Sequence, residues 1–543
     1  RVVRKKRSES AAFFNIELEG GRKMAREVRP AVKAIMILMA IGILYAGYRM
    51  ADRFGLMEKI APTGKQTAGS ALSDDAKDAA KKGTPIVRVG VVTWGGYAGG
   101  EYYNGGFEAS TASRYFKDKG ILVEFVVIDD FKASRDAWKA DKIDMLWGTA
   151  DSFPTEVDGL KEFEPQIVMQ ADWSRGGDAI VVKHGINNVR QLADATIAVA
   201  LGTPSHSLLL NTFDAGDINY NERMIKTTDS AIAAAQMFKS GAVDAAVVWS
   251  PDDADCVKNV PGSKILVNTK KAGNIIADIF FVKKKFLEKN RDVVAKVVQG
   301  WLQGAAEING NQAAREEAVR ILMKGLNIDE SLARISLDNV RLTTYGDNEN
   351  FFGLNSSYRG VTGEDLYNRM NRMYTRINLS PSTIPPWRNV ADSSIIREIT
   401  LSGPDNEAEG MIKFAAPTRA DEKAHAYANK PLTVSYDFGS ARLTGNGKTI
   451  IDMGFADTAR QFSQTRIRIE GNTDSIGSAE TNKRLSYARA NSVANYLVEK
   501  YGFDRRRFVI VGNGADAPVP GCEANDTEDC RAKNRRTEFS LLN

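Results

Sequence analysis

The stretch EGNTDSIGSAETNKRLSYARAN, residues 470–491, decides how the C-terminal part of the chain is read. It runs from the end of a strand-like segment at 466–470, through a turn at 475–477, into a long helical segment at 485–500. Asp474 sits before the turn and Arg489 on the helix, so one carboxylate and one guanidinium are presented by neighbouring elements. Taken singly, each has a local role open to it: Asp474 can cap the turn and Arg489 can face solvent. Outward from this stretch, further strands are expected from residue 432, at 507–512 and from residue 534, which makes an α+β domain.

Upstream the composition is that of folded domains. The chain has 543 residues, 26% charged and 43% hydrophobic, enough for more than one hydrophobic core. The net charge of +5 is small for this length, and no nucleic-acid partner is implied. Residues 1–29 hold nine Arg or Lys against four Glu, and AIMILMAIGILYAGY at 34–48 then carries no charge. With Lys33 and Arg49 snorkelling, residues 30–49 are long enough to span a bilayer, with the basic tail cytoplasmic and the bulk of the chain periplasmic. The expectation is a single-pass inner-membrane protein; a cleaved signal peptide is the rival reading. Residues 50–83 are small and polar and read as a linker.

Between 84 and 345, strand-length Val/Ile-rich runs at 86–92, 121–128, 143–147, 179–182, 196–200, 245–249 and 275–282 alternate with helical stretches at 109–119, 229–240 and 290–308. This alternation predicts a three-layer α/β region with largely parallel sheets, and its repetition about residue 180 suggests two lobes. Turns after these strands carry the candidate ligand groups. Gly95 and Gly96 permit close backbone approach beside Trp94 and Tyr97. Thr203, Ser205, His206 and Ser207 place hydroxyls and N–H groups at a helix start, suited to an anion or polar ligand. Asp151, Asp178 (after Gly177), Asp252 and Asp253 oppose a simple anion and would read an amine or hydroxyls; Trp249 closes the set. Each has a bland alternative as helix cap or core aromatic.

Quoted as they stand, VGVVTWGGYAGG, DMLWGTADSFP, SRGGDAIVV, VALGTPSHSLLL and DAAVVWSPDDAD resemble the type II periplasmic substrate-binding proteins, in the branch serving sulfonate, nitrate and thiamine-precursor uptake in ABC transporter-like systems. That resemblance implies two lobes closing on a small solute. The C-terminal stretch resembles the OmpA-like and MotB-like peptidoglycan-binding domains, whose TD and LSxxRA motifs map onto Thr473-Asp474 and 485–490. It implies recognition of the peptidoglycan stem peptide by Asp474 and Arg489, with Asn482 and Leu485 at intervening family positions. The family's usual His before TD is Asn472 here. By family analogy a homodimer and an inner-membrane protein partner are also implied.

The expected organisation is therefore a basic tail at 1–29, a membrane helix at 30–49, a linker at 50–83, a binding-protein-like region at 84–345, an extension and linker at 346–430, and the OmpA-like domain at 431–543. Cys522 and Cys530 enclose a short polar loop and are expected to form a disulfide, leaving Cys256 a thiol. HExxH, GxSxG, Walker A and GxGxxG are absent from the sequence, and His184, His206 and His425 are too scattered for zinc. No enzyme, metal or cofactor is expected, although sequence spacing leaves two-carboxylate chemistry open. Membrane-tethered solute binding or sensing, anchored to the wall, is the leading reading. A non-catalytic, stator-like scaffold is the alternative, and the uncharged apolar run weakens its proton-driven form.

Overall fold

Buried strands rich in apolar residues form the centres of two sheets. This computed structural model describes residues 72–437 and 439–543. Strands are numbered in chain order. In the first lobe β1 (Ile86–Val91), β2 (Leu122–Val127), β3 (Met145–Thr149), β4 (Pro165–Ser174), β10 (Ala277–Lys283) and β11 (Val340–Leu342) are ordered β11-β4-β10-β3-β1-β2. In the second, β5 (Asp178–Val182), β6 (Ile197–Ala200), β7 (Ile225–Thr228), β8 (Ala245–Trp249) and β9 (Lys264–Asn268) are ordered β7-β6-β8-β5-β9. Every residue of β3, β5, β6 and β10 is buried, as strands covered on both faces require.

The sheets are mixed rather than largely parallel. The chain crosses to the second lobe between β4 and β5 and returns between β9 and β10, so β10 runs antiparallel to both β3 and β4, and β5 antiparallel to β8 and β9. Only β1–β2, β1–β3, β6–β7 and β6–β8 are parallel. Within the expected linker, Asp74–Lys81 is a helix whose Ala76 and Ala79 are buried and whose cap, Ser73, donates to the Ala109 carbonyl at 2.9 Å. Two alanines are too small to stand out as an apolar face in the sequence.

The extension packs rather than dangles. Helix Gly363–Arg376 is boxed at its start by Thr362 and Asp365 and buries Leu366, Tyr367, Met370 and Tyr374, a helical stripe. Its Tyr374 hydroxyl lies 2.8 Å from Ser207 Oγ of the second lobe, while Ser380 just beyond donates to the Pro154 carbonyl of the first at 3.0 Å.

The C-terminal sheet has β12 (Ala426–Leu432), β13 (Ile467–Asn472), β14 (Phe508–Gly514) and β15 (Thr537–Leu542) in the order β12-β15-β13-β14. Helix Ala479–Tyr501 lies on it closely because Gly471 and Gly512 face it: a Cβ at Gly471 would meet Ser486 O at 2.1 Å. One continuous apolar cluster joins this domain to the second lobe, Tyr427 and Phe462 packing with Leu266 and Ile275. At its edge Asp214 accepts from Arg369 at 3.0 Å, Lys430 at 2.7 Å and Thr458 at 2.9 Å.

The membrane expectation is corrected. Residues 30–49 lie outside those described, and among the described residues no helix is long and apolar enough to cross a membrane. Among the described residues the fold is two α/β lobes and an α+β domain with no spanning helix, and the single-pass inner-membrane localisation is not retained.

Removing one partner of a part-buried ion pair costs about 3 kcal/mol. Asp214→Asn, which leaves Lys430 without its carboxylate and Arg369 with Asp457 alone, is therefore expected to lower the thermal unfolding midpoint and to speed proteolysis between the second lobe and the C-terminal domain. An unchanged midpoint and digestion pattern would show that the shared anion contributes nothing to docking.

Candidate functional site

The strand ends between the lobes collect carboxylates. Asp172 on β4 and Asp278 on β10 are register partners, and Asp278 is the partner of Thr149 on β3, so three strands deliver one polar row. Asp151 follows β3 and Asp178 opens β5. All four side chains are buried, none more than 5% exposed. Their donors are Trp94 Nε1 to Asp172 at 3.0 Å, Tyr97 OH to Asp278 at 2.7 Å, Ser174 Oγ to Asp178 at 2.8 Å and the Ala277 N–H to Asp151 at 3.3 Å. Asp151 Oδ2, Asp172 Oδ1 and Asp178 Oδ1 have no partner among the described residues.

Burial without a cation makes these groups hold protons. Burial pushes Asp151 up to about 7 against the pull of the Ser207 hydroxyl. Burial and the nearby charge of Asp178 raise Asp172 to about 8, opposed by the Trp94 N–H. Burial, Asp151 and Asp253 lift Asp178 to about 7, and Asp278 is raised further by burial and Asp172. The imidazole of His206 offers no compensating charge, because burial lowers it to about 3.

Two glycines make the arrangement possible. A Cβ on Gly96 would lie 1.5 Å from Asp172 Oδ2, and one on Gly177 would lie 2.0 Å from the Trp94 ring. Gly95 is pressed against the Ser336 backbone, where a Cβ would meet the carbonyl at 2.5 Å. The hydroxyls expected at the helix start are engaged internally. Thr203 Oγ1 turns back to the Ala200 carbonyl at 2.8 Å, Ser205 Oγ accepts from Trp249 Nε1 at 2.9 Å, and Ser207 pairs with Tyr374. His206 packs between Tyr220 and Tyr374. Asp252 lies among Lys239, Asp255 and Asp253, apart from the four carboxylates.

At the C-terminal domain, Asp474 accepts from the Ile476 N–H at 3.1 Å and from Arg535 Nη1 at 2.7 Å. Arg535 is held in turn by Glu528 at 2.5 Å. Asn482 Nδ2 donates to the carbonyls of Asp474 and Ile476 at 3.3 and 3.1 Å, fixing the loop, and Thr473 Oγ1 donates to Asp474 O at 2.9 Å. Leu485 is half-buried. Arg489 lies over the Tyr436 ring at 4.8 Å and donates to Ser440 O at 3.1 Å. Burial lowers its pKa, with Asp474 near enough to oppose that shift. Among the described residues it has no carboxylate within ion-pair distance. Cys522 and Cys530 are disulfide-bonded with Cα atoms 5.0 Å apart, beside the helix Glu528–Asn534 that carries Glu528; Cys256 is a buried thiol.

Sequence reasoning passed over Asp172, Asp278, Ser174, Tyr374 and Arg535. The first two had a signal: each is the one acid of its strand, in QADW and IADIFF. Arg535 had none, since its role depends on a loop closing back on residue 474. Among the described residues no group of three or more His, Cys, Asp or Glu could hold a metal ion.

A family profile described as the OmpA family matches residues 435–535. Outer membrane porin F of Pseudomonas aeruginosa is 38% identical over 110 residues, 20% of this chain and 30% of that protein. Outer membrane protein Omp38 of Acinetobacter baumannii is 31% identical over 201 residues, 34% of this chain and 55% of that protein. Probable lipoprotein YiaD of Escherichia coli is 35% identical over 113 residues, 21% of this chain and 49% of that protein. The chain thus spans 30% to 55% of the length of these relatives. Among solved structures, the periplasmic aliphatic sulphonate binding protein SsuA from Escherichia coli overlaps 62% of this chain and 97% of its own, with 16% identity and a TM-score of 0.44. The periplasmic nitrate-binding protein NrtA from Synechocystis PCC 6803 overlaps 58% and 88%, with 10% identity and a TM-score of 0.46. Residues 435–535 match the OmpA family, and they lie behind a two-lobed α/β region defined by its own strand order and double crossover. The matches carry binding and envelope names rather than enzyme names.

Raised carboxyl pKa values give a definite sign. The folded state keeps protons that the unfolded state releases above about pH 4, so stability is full below that value and falls as the pH rises through the folded values. The melting midpoint is expected to decline between about pH 5 and pH 8.5, and Asp172→Asn, which needs no proton, should flatten the decline. Parallel profiles for the two proteins would contradict the buried-acid account. Gly96→Ala should displace Asp172 and cost about 1–3 kcal/mol as overpacking, seen as a lower midpoint with altered Trp94 fluorescence; a silent substitution would mean the carboxylate does not sit against Gly96.

Proposed function

We propose that the protein is a periplasmic, non-catalytic solute-binding protein held to peptidoglycan by its C-terminal domain, with the lobes at 84–345, the extension at 346–430 and the wall-binding domain at 431–543. The observation that carries the wall-binding part is the juxtaposition at its site. Asp474 is fixed by Arg535 and Asn482, and beside it Arg489 is half-buried with no carboxylate of its own. A stem peptide ending in a zwitterionic diamino acid supplies the missing carboxylate to Arg489 and an ammonium to Asp474. The disulfide supports an oxidising compartment. The solute part is supported by the two lobes meeting over orphaned buried acceptors, with the sulfonate, nitrate and thiamine-precursor branch lending the frame of the reading rather than its ligand.

A second reading, a rigid envelope scaffold, is favoured by one feature: Tyr374 and Ser380 tie the extension to both lobes at once. It shares the wall-binding domain and differs in requiring no solute.

Co-sedimentation with purified sacculi checks the wall-binding part. Asp474→Ala and Arg489→Ala should each weaken binding by about tenfold or more, as expected when one side of a charge-assisted pair is removed, while the melting midpoint of Arg489→Ala stays close to that of the parent. Undiminished sedimentation of both variants would overturn this assignment.

A further inference from the structure

The interlobe site has acceptors to spare and few free donors. Thr203 Oγ1 donates to the Ala200 carbonyl and Ser207 Oγ pairs with Tyr374, Ser205 Oγ accepts from Trp249 and keeps only its own O–H to donate, and the His206 and Ser207 N–H groups already donate to the Thr203 carbonyl. The Arg135 guanidinium is committed to Glu156 at 2.8 and 3.0 Å. Against this, three carboxylate oxygens from three separate elements, Asp151 Oδ2 after β3, Asp172 Oδ1 on β4 and Asp178 Oδ1 on β5, are fully enclosed and unpartnered. A buried acceptor left without a donor is costly, and a sulfonate or nitrate placed here would add charge of the same sign.

We infer that this site is built for a small organic cation bearing ammonium groups, whose N–H donors satisfy the orphaned oxygens of Asp151, Asp172 and Asp178. The inference rests on the solute-binding reading and gives that reading a ligand class. An ammonium supplies three donors and a full charge in one group, and the half-buried indole of Trp94, already bonded to Asp172, adds an aromatic neighbour suited to a cation. A metal ion is disfavoured by placement: the carboxylates come from different strand ends and, among the described residues, no three converge on a point that would ligate one. An extended ligand with separated donors fits such dispersed acceptors; a single sphere does not.

Isothermal titration of the full-length protein with 1,4-diaminobutane and methylammonium, against methanesulfonate, nitrate and calcium, tests this. A diamine is expected to bind, with affinity reduced about tenfold or more in Asp172→Asn and Asp178→Asn, both close isosteres whose folding is checked by circular dichroism. Trp94→Phe keeps every carboxyl and should weaken binding by a smaller factor, which guards against a folding defect in the Asn variants. Binding of methanesulfonate or nitrate in place of the amines would overturn the ligand class while leaving the solute-binding reading intact. Calcium binding alone would overturn it in favour of a metal. Amine affinity unchanged in both Asn variants would place the ligand elsewhere. No binding by any probe would overturn the inference and the solute-binding reading together, and would leave the scaffold.

Discussion

The carboxylate of Asp214 is shared by three parts of the chain. It ends a helix of the second lobe, and its oxygens take Arg369 from the extension and Lys430 and Thr458 from the C-terminal domain. Burial alone would raise its pKa; Arg369 and Lys430 overcome that and bring it down to about 2. The charge is therefore present wherever the protein functions, and the surrounding cations stay matched. Behind it the apolar cluster is continuous, so the electrostatic contact sets orientation while burial of Tyr427, Phe462 and Ile275 supplies the bulk of the attraction.

The carboxylates between the lobes are the opposite case. They are more deeply buried, but no Lys or Arg hydrogen-bonds to them among the described residues, and their proximity raises one another. One protein thus uses the same side chain in two ways: paired and ionised where parts must be held together, unpaired and protonated where the lobes meet. Retaining unsatisfied acceptors in a packed interior conflicts with stability, and such conflicts are characteristic of sites kept for binding.

Much of this was legible in the sequence. The Val/Ile runs located β1, β2, β3, β5, β6, β8 and β10, because continuous apolar segments of strand length have few other homes. β4 was harder: Gln166, Gln170 and Asp172 interrupt its apolar pattern, and only pairing with β10 and β11 explains them. The parallel expectation failed because strand direction depends on where the chain crosses between lobes, which no local pattern records. At the C-terminal site Asp474, Asn482 and Arg489 could be named from their motif, whereas Arg535, which locks Asp474 in place, belongs to a contact across the fold. The hydroxyl-rich start of helix Pro204–Ala215 misled in another way: side chains able to hold an anion had already found partners inside the protein.

That helix has a mechanical consequence. Twelve residues give it a length of roughly 18 Å, with Ser205 and Ser207 buried at one end against Trp249 and Tyr374 and Asp214 near the other in the grip of the C-terminal domain. The second lobe and that domain share one apolar interior, so a pull on the C-terminal domain is transmitted to the second lobe directly through packed side chains, while the extension reaches the same helix through the Tyr374–Ser207 hydrogen bond.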